Sequence, residues 1–287
     1  MGKFSEALEK SEKDKCHSEL NEPIKADNTE AKNTSIFKKD IRSGVKSLSK
    51  IKKKSAPDLV TLNLPNSYEA EQFRTLKTSL LFSSDRKAPR TIMVTSAVPD
   101  EGKSFVAANL AVTYAQSLDE HVLLMDCDLR LPTVHKVFGL PENTNGLSDI
   151  LSGTIDIASG IYKTEVDKLS IIPGGRVPSN PTELLSSIRM QNLLKEVESR
   201  YHDRYVIIDS PPPLLTAESI AISRQVDGIL IVIKHESTRR KDVQEMIALL
   251  GKEKIIGIIV NRYDVRLAKY YGYGKYGSYY GKKSDQK

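Results

Sequence analysis

The chain of 287 residues predicts an α/β fold: a doubly wound, mostly parallel sheet with helices on both faces. The prediction depends on short, unbroken runs of Val, Ile and Leu, which are typical of strands covered on both faces. Longer stretches with helical periodicity separate these runs, and parallel strands need such crossover connections. The predicted strands are 91–96, 122–126, 169–173, 205–209, 228–233 and 255–261.

The composition favours one folded domain with flanking segments. Charged residues make up 28% and hydrophobic residues 39% of the chain, and no apolar run reaches the roughly 18 residues that cross a bilayer. No secretory signal pattern follows Met1, so we expect a cytoplasmic location. The two cysteines, Cys16 and Cys127, cannot build a disulfide framework or a thiolate metal site.

Residues 1–58 form a predicted disordered, basic region, because Lys, Glu, Asn and Ser predominate there. Eight basic residues stand against one acid between Lys38 and Lys54. This stretch is either a solvated linker or a weakly amphipathic segment that contacts an anionic membrane or a partner. Much of the net charge of +6 lies outside the predicted core, so we expect no nucleic acid partner. The folded domain is predicted over 59–262 and a flexible tail over 263–287.

A helix is predicted over 66–82, ahead of the first of these strands. Phe73, Leu76 and Leu80 recur at i, i+3 and i+7, which is the spacing of one helix face. Ser67 stands where a serine can cap the helix N-terminus. This is the first amphipathic element of the predicted domain.

The sequence AVPDEGKS at 97–104 follows the first strand and precedes a helical pattern. In this setting the backbone N–H groups at a helix N-terminus bind phosphate. Lys103 would reach the terminal phosphates of a nucleotide, and the Ser104 hydroxyl would bind Mg²⁺. Ala97 replaces the first glycine of the usual pattern, so the match is incomplete, and a plain helix start is the alternative interpretation of the GKS sequence taken alone. The predicted ATP-binding residues of this loop are Pro99, Asp100, Glu101, Gly102, Lys103, Ser104 and Phe105.

Acidic side chains follow two other predicted strands. Asp209 comes directly after VII, and Asp126 and Asp128 end the run VLLMDCD, two residues apart and hence on one side of an extended chain. Taken singly, each acid is typical of a cap or of the surface. Taken together with the GKS sequence, they predict a nucleotide and metal site at the carboxyl edge of the sheet.

Three motifs resemble those of the bacterial protein-tyrosine kinases of polysaccharide export. They are SAVPDEGKS at 96–104, VLLMDCDLR at 122–130 and VIIDSPP at 206–212. The resemblance implies a P-loop NTPase fold of the deviant Walker type that partition ATPases share, with ATP and Mg²⁺ as cofactors. It also implies a protein-tyrosine kinase activity that regulates exopolysaccharide or capsule polymerisation and export.

The resemblance assigns roles to residues of the predicted site. Lys103, Asp126, Asp128 and Asp209 would be catalytic, and Ser104, Asp128 and Asp209 would hold Mg²⁺. Asp126 would take the proton of an incoming tyrosine hydroxyl, whose ordinary pKa of about 10 makes it a poor nucleophile at neutral pH.

The remaining motif residues concern contacts at and beyond the site. Arg130 would contact either the metal-binding carboxylates or a neighbouring subunit, and Asn261 would either contact adenine or cap its strand. Glu71, Arg74 and Lys77 resemble a subunit-contact motif that ends in arginine in the family, which implies a homo-oligomeric ring. Lysine cannot bind a carboxylate through two parallel hydrogen bonds as arginine does. A separate membrane-bound activator or polysaccharide co-polymerase is also implied, and through it a location at the inner face of the plasma membrane.

The C-terminal segment YYGYGKYGSYYG at 270–281 holds half of the 12 tyrosines of the chain. In the resembled kinases such a cluster is phosphorylated by neighbouring subunits, and its glycines supply the pliancy that an acceptor needs. Stacking on single-stranded nucleic acid and a low-complexity segment without catalytic meaning are the other interpretations. The predicted autophosphorylation sites are Tyr270, Tyr271, Tyr273, Tyr276, Tyr279 and Tyr280.

A nucleotide-switched partition-type ATPase without kinase activity is the alternative function. Proteins of that class carry a signature lysine five residues before the P-loop lysine, where this chain has Val98. Val98, the SPP sequence after Asp209 and the tyrosine-rich tail therefore favour a tyrosine kinase that acts on protein substrates.

Overall fold

The fold is described from a computed structural model, which describes residues 46–47, 59–82, 88–200 and 204–263. For 46–47 and 198–200 it describes the backbone alone. The strands within these ranges are β1 (Lys46–Ser47), β2 (Thr91–Ser96), β3 (His121–Asp126), β4 (Tyr162–Lys163), β5 (Leu169–Ile172), β6 (Arg204–Asp209), β7 (Gly228–Lys234) and β8 (Ile255–Asn261).

These strands form one sheet in the order β1-β4-β5-β3-β6-β2-β7-β8. Neighbouring strands are parallel except β4 and β5, which are antiparallel. The prediction of a mostly parallel α/β sheet is therefore confirmed, and the six predicted strands correspond to β2, β3, β5, β6, β7 and β8. The two-residue strands β1 and β4 were not predicted, because so short a run has no periodicity.

Helices lie on both faces of the sheet. Their bounds are α1 (Val60–Asn63), α2 (Tyr68–Leu81), α3 (Lys103–Ala115), α4 (Val134–Val137), α5 (Leu147–Ser152), α6 (Pro181–Leu185), α7 (Ile188–Arg200), α8 (Glu218–Ser223) and α9 (Arg240–Leu250), with 3₁₀ turns at Ala158–Gly160 and Lys252–Lys254. In α2 the Ser67 hydroxyl accepts the Ala70 N–H at 3.1 Å, so Ser67 is the predicted cap. Phe73 and Leu80 are buried on the inner side of this helix.

Two apolar layers cover the central strands, one on each face. Along β2, Ile92 and Val94 pack into one layer with α3 residues such as Leu110. Met93 points to the opposite face and packs with residues of α5 and α7, for example Leu151. This alternation is the period of two that a strand imposes on its side chains. Unbroken apolar runs therefore mark strands that contribute to both layers.

Strand β8 departs from that prediction. Ile258 and Val260 are each 49% exposed, although the sequence predicts a strand covered on both faces. β8 is an edge strand with β7 as its neighbour, so the layers that bury the central strands end here. The apolar run identified the strand correctly but not its position in the sheet.

Several predictions concern residues that the structure does not describe. The basic region 1–58, apart from residues 46–47, and the tail 263–287, apart from Tyr263, lie outside the described residues, and so do the six tail tyrosines. The domain limits therefore stay predictions. Among the described residues, no helix combines the length and apolar character needed to span a membrane.

Candidate active site

The P-loop joins the end of β2 to the start of α3. Asp100 and Gly102 both have left-handed backbone angles, with φ of 62° and 93°. Gly102 is the residue before the first turn of α3, which begins at Lys103. Ala97 is fully buried and has no positive φ, so an alanine fits where the usual pattern has its first glycine.

A network of hydrogen bonds to Glu101 holds this loop in place. The buried carboxylate of Glu101 accepts the Val98 N–H at 3.1 Å and the Thr238 hydroxyl. The Asn261 amide donates to the Glu101 carbonyl at 2.8 Å. Gly102 has a φ of 93°, and a Cβ there would also meet Asn261 Nδ2 at 2.1 Å, so a side chain at this position would be strained. Asn261 therefore contacts the P-loop backbone, and its role toward adenine stays a prediction.

The three predicted carboxylates lie on neighbouring strands. Asp126 at the end of β3 is in register with Asp209 at the end of β6, and β6 pairs with β2, which leads into the P-loop. Lys103 at the start of α3 pairs with Asp128, Nζ to Oδ2 at 2.8 Å. The structure thus brings Lys103 and all three acids together, as parallel strand ends at one edge of a sheet require.

Asp126 is fully buried and is bound to the loop that follows it. Its Oδ2 accepts the N–H groups of Thr133 and Val134 at 2.9 and 3.0 Å, and its Oδ1 accepts the Asp128 N–H at 3.2 Å. Burial, followed by the charge of Asp209, raises the pKa of Asp126 to about 8. These contacts stabilise the loop, and the role of Asp126 as a base stays a prediction.

Asp209 is the carboxylate with the fewest contacts. Neither of its buried oxygens accepts a hydrogen bond of normal geometry from the described residues, although the Ser104 hydroxyl lies close enough to lower its pKa. Burial is the larger effect and raises the pKa of Asp209 to about 6. Buried anionic oxygens without partners are costly unless a cation or donor satisfies them.

Lys103 supplies the positive charge of the site. Burial by itself lowers the pKa of Lys103, but the carboxylates, above all Asp209 and Asp128, outweigh burial and raise it. Among the described residues, no three acidic, His or Cys side chains form a metal cage by themselves. Mg²⁺ commonly takes one or two carboxylates and completes its shell with phosphate and water oxygens. The pair Asp128 and Asp209 with the Ser104 hydroxyl fits that requirement.

Comparison with known proteins agrees with this geometry. The sequence profile described as AAA domain matches residues 90–255. The tyrosine-protein kinase YwqD of Bacillus subtilis (strain 168) is 37% identical over 223 residues, which cover 77% of this chain and 92% of that protein. The chain belongs to the bacterial tyrosine-protein kinases.

Two further relatives define how far the similarity extends. The tyrosine-protein kinase wzc of Salmonella typhimurium is 35% identical over 82% of this chain, and the match covers 32% of that longer protein. The solved kinase domain of the Escherichia coli tyrosine kinase ETK has a TM-score of 0.66 at 31% identity, and the match covers 76% of this chain and 86% of that chain. The similarity therefore covers about a third of wzc and most of the solved kinase domain of ETK.

Arg130 of the kinase has a partner that the sequence did not indicate. Its Nε and Nη2 both lie 2.8 Å from Oε1 of Glu218, the first residue of α8. Glu218 is 1% exposed, whereas the Arg130 side chain is 55% exposed. In the described chain Arg130 thus pairs with Glu218, and a contact with a neighbouring subunit stays a prediction.

The predicted subunit-contact residues lie on α2. Arg74 pairs with Glu71 at 2.7 Å, and both side chains are about 40% exposed. Lys77 folds against α3 and its following turn, where Nζ donates to the Ser117 hydroxyl at 2.8 Å. Burial, the largest effect, lowers the pKa of Lys77. Lys77 is therefore already engaged within its own chain, and the role of the three residues in assembly stays a prediction.

Sequence reasoning missed two side chains that build the site, Glu218 and Thr238. Glu218 stands in the first turn of a short helix, where an acid is usually read as a partner of the helix dipole. Thr238 lies in the loop after β7 and reaches Glu101, 137 residues away in the sequence. No local pattern marks either contact. Phe105, which the sequence assigned to the nucleotide, packs its ring against Phe73 with the centroids 6.0 Å apart.

Proposed function

We propose that the kinase transfers the γ-phosphoryl group of ATP to tyrosines in the C-terminal tail of a neighbouring subunit. Through this modification it regulates exopolysaccharide or capsule polymerisation and export. One observation carries the proposal: the largely buried Lys103–Asp128 pair stands at the start of α3, beside a buried Asp209 carboxylate that accepts no hydrogen bond of normal geometry from the described residues. A buried cation, several carboxylates and the N–H groups of a helix N-terminus are what phosphoryl transfer uses.

The loop 97–104 would bind the phosphates of ATP. Gly102 lets the backbone pass close to Asn261, and Lys103 can exchange Asp128 for a phosphate oxygen because both acceptors are anionic. Ser104, Asp128 and Asp209 are the residues that would hold Mg²⁺. When bound, this ion neutralises negative charge on the phosphates.

Asp126 is the proposed base for the acceptor hydroxyl. A carboxylate whose pKa is raised by burial and by Asp209 binds a proton more readily than an ordinary one. The bonds from Thr133 and Val134 fix Oδ2 of Asp126, so proton transfer would use Oδ1. The acceptor is proposed to be the tail of another subunit, with Tyr270, Tyr271, Tyr273, Tyr276, Tyr279 and Tyr280 as the sites.

The proposed partners follow from the motif resemblance. A homo-oligomeric ring would bring the tail of one subunit to the site of the next, with Glu71 and Arg74 on the exposed side of α2 available for contacts. A separate membrane-bound activator would hold the kinase at the inner face of the plasma membrane. The support for the activator is the resemblance alone.

Mass spectrometry of the tail tests the proposal. The purified chain is incubated with ATP and Mg²⁺, and we expect phosphotyrosine mainly within 270–280. Release of free phosphate without modification of the tail would instead favour the partition-type switch.

The matched variants are Lys103→Met and Lys241→Met. Loss of the Lys103 ammonium should reduce tail labelling at least about a hundredfold, because it removes the buried charge that stabilises the transferring phosphate. Lys241 is an 80% exposed lysine on α9, so its replacement should leave labelling unchanged. Full activity of Lys103→Met would refute the assigned site.

A further inference from the structure

We propose that Glu218 is a positioning residue of the kinase, which holds Arg130 and thereby fixes the loop 127–133 that carries Asp128. The inference rests on the phosphoryl transfer proposed above and concerns a residue outside every motif of the sequence. Arg130, at the edge of the site, then has a buried partner within its own chain.

The contact between Arg130 and Glu218 is short, and it joins a half-exposed side chain to a buried one. Arg130 donates from Nε and Nη2 to the same oxygen of Glu218, at 2.8 Å each. Arg130 is half-exposed, so its guanidinium lies at the surface, while the carboxylate that holds it is buried. A charge-assisted contact of this kind is roughly twice as strong as a neutral hydrogen bond.

Glu218 is a firm point of attachment because α8 is itself anchored. The Ser219 hydroxyl, next in the chain, donates to the Pro211 carbonyl in the loop that follows Asp209. Thr95, at the end of β2, also donates its hydroxyl to the Pro211 carbonyl, at 2.9 Å. The Pro211 carbonyl therefore connects the helix that carries Glu218 to β2 and to the loop after β6, two of the strands that build the site.

The loop that Arg130 attaches is the one that orients two site carboxylates. Asp128 Oδ1 accepts the Leu131 N–H at 3.2 Å, one residue beyond Arg130. Asp126 accepts the N–H groups of Thr133, at the end of the same loop, and of Val134, the first residue of α4. A shift of Arg130 would thus move the backbone donors that set the orientation of both acids.

The charges of Glu218 and Arg130 also favour their pairing. Burial by itself raises the pKa of Glu218, but hydrogen bonds from its own backbone N–H and from Arg130 outweigh burial and lower it. Glu218 therefore stays ionised, and the buried charge requires Arg130 as its partner. Removal of one member leaves the other without its counter-charge.

The inference predicts a larger effect on turnover than on ATP affinity. The P-loop is held by hydrogen bonds from Thr238 and Asn261 to Glu101, and Glu218 is a partner in neither of them. Displaced carboxylates would slow the chemical step, since a misplacement of about 1 Å can cost up to about a hundredfold in rate.

The experiment measures kcat and KM for ATP of the full chain, with phosphotyrosine formation as the readout. Glu218→Gln keeps the volume of the side chain and removes its charge. We expect kcat to fall about tenfold while KM for ATP changes less than about twofold. The matched control is Asp242→Asn, which breaks a similar pair between a largely buried acid on α9 and an exposed arginine, Arg239, directly before that helix. The control should leave kcat unchanged even where it lowers Tm.

A double-mutant cycle separates positioning from general destabilisation. If Glu218 acts through Arg130, Glu218→Gln should add no further loss of kcat to Arg130→Gln. Independent, multiplicative losses would overturn the inference, and so would an unchanged kcat in Glu218→Gln. Should Glu218→Gln fail to fold, Glu218→Asp carries the same comparison, because it retains the charge and shortens the reach toward Arg130.

The outcome can be told apart from a failure of the proposed function. If the parent chain releases phosphate from ATP but leaves its tail unmodified, tail phosphorylation is wrong. The same double-mutant cycle is then measured by phosphate release. Glu218→Gln should again add no further loss of rate to Arg130→Gln.

Discussion

Asp100 shows how one backbone angle restricts which residues fit a position of the P-loop. Asp100 has a φ of 62°, in the left-handed region. Glycine adopts this region without strain, and Asp is among the few other residues that tolerate it. The charge of Asp100 and its conformation therefore have separate consequences for nucleotide binding.

Two substitutions separate these consequences. Asp100→Asn keeps the tolerance of a positive φ and removes the charge, so it should bind ATP at least as tightly as the parent. Asp100→Val should bind ATP about tenfold more weakly, because a β-branched residue in this region costs about 1–2 kcal/mol. Calorimetric titration with ATP gives both affinities.

Gly139→Val is the control for backbone strain. Gly139 also has a positive φ, of 69°, and a Cβ there would meet open space. It should lower Tm without changing ATP affinity. Equal ATP affinities of Asp100→Asn and Asp100→Val would contradict the conformational explanation.

At the scale of elements, two buried carboxylates at the ends of β3 and β6 make the free energy of unfolding depend on pH. Asp126 and Asp209 lie opposite each other with pKa values raised to about 8 and about 6, from an ordinary value of 3.8. The folded protein therefore holds protons that the unfolded chain has already lost between about pH 4 and pH 8. Across this window these two groups make the free energy of unfolding fall as pH rises.

Asp126→Asn tests this statement. Without nucleotide or Mg²⁺, the Tm of Asp126→Asn should fall less between pH 5 and pH 8 than the Tm of the parent, because the amide does not titrate. Mg²⁺ should raise the Tm of the parent more at pH 8 than at pH 5, since the ionised carboxylates bind it better. Thermal unfolding in EDTA and in Mg²⁺ at both pH values provides the comparison. Parallel pH profiles of parent and variant would refute the assignment.

Helix α2 begins where Ser67 caps it. The Ser67 hydroxyl accepts the Ala70 N–H, so Ser67→Ala leaves an N-terminal donor without its partner. We expect a loss of about 1 kcal/mol in the free energy of unfolding and a fall in Tm of about 2–4 °C. Ser79→Ala on the same helix is the control, because the Ser79 hydroxyl only bonds back to Thr75 within the helix. Thermal unfolding that gave both variants the same Tm would contradict the capping role.

At the scale of the whole molecule, the tail and the site are predicted to act on each other between subunits. Each phosphotyrosine adds about −1.5 to −2 charges near Lys269, Lys275, Lys282 and Lys283. Several such additions would reverse the sign of the tail and loosen contacts between subunits. The chain would then respond to ATP by a change of assembly.

A variant with all six tail tyrosines changed to phenylalanine tests the coupling. We expect size-exclusion chromatography with light scattering to show an ATP-dependent change of molar mass for the parent and none for this variant. Lys103→Met is the control that keeps the tyrosines and removes transfer. If the phenylalanine variant still responds to ATP as the parent does, the tail is not the switch.

The sequence predicted the parts of the site that are local along the chain. The motif from Ser96 to Ser104 indicated a P-loop, and acids at the ends of apolar runs indicated Asp126, Asp128 and Asp209. The structure brings these groups together because β3, β6 and β2 are adjacent and parallel. The short helices α4, α5 and α6 were not predicted, since four to six residues hold too little periodicity to be recognised.

By itself, the sequence determined the fold class, the central strands and the motif residues, because apolar periodicity and motif spacing are properties of neighbouring residues. Only the tertiary structure decided which partners Arg130, Glu101 and Asn261 contact. Arg130 finds Glu218 across 88 residues and Asn261 reaches Glu101 across 160, and no local pattern records such separations. The exposure of β8 was decided in the same way, since a strand becomes an edge through the order of the sheet and not through its own residues.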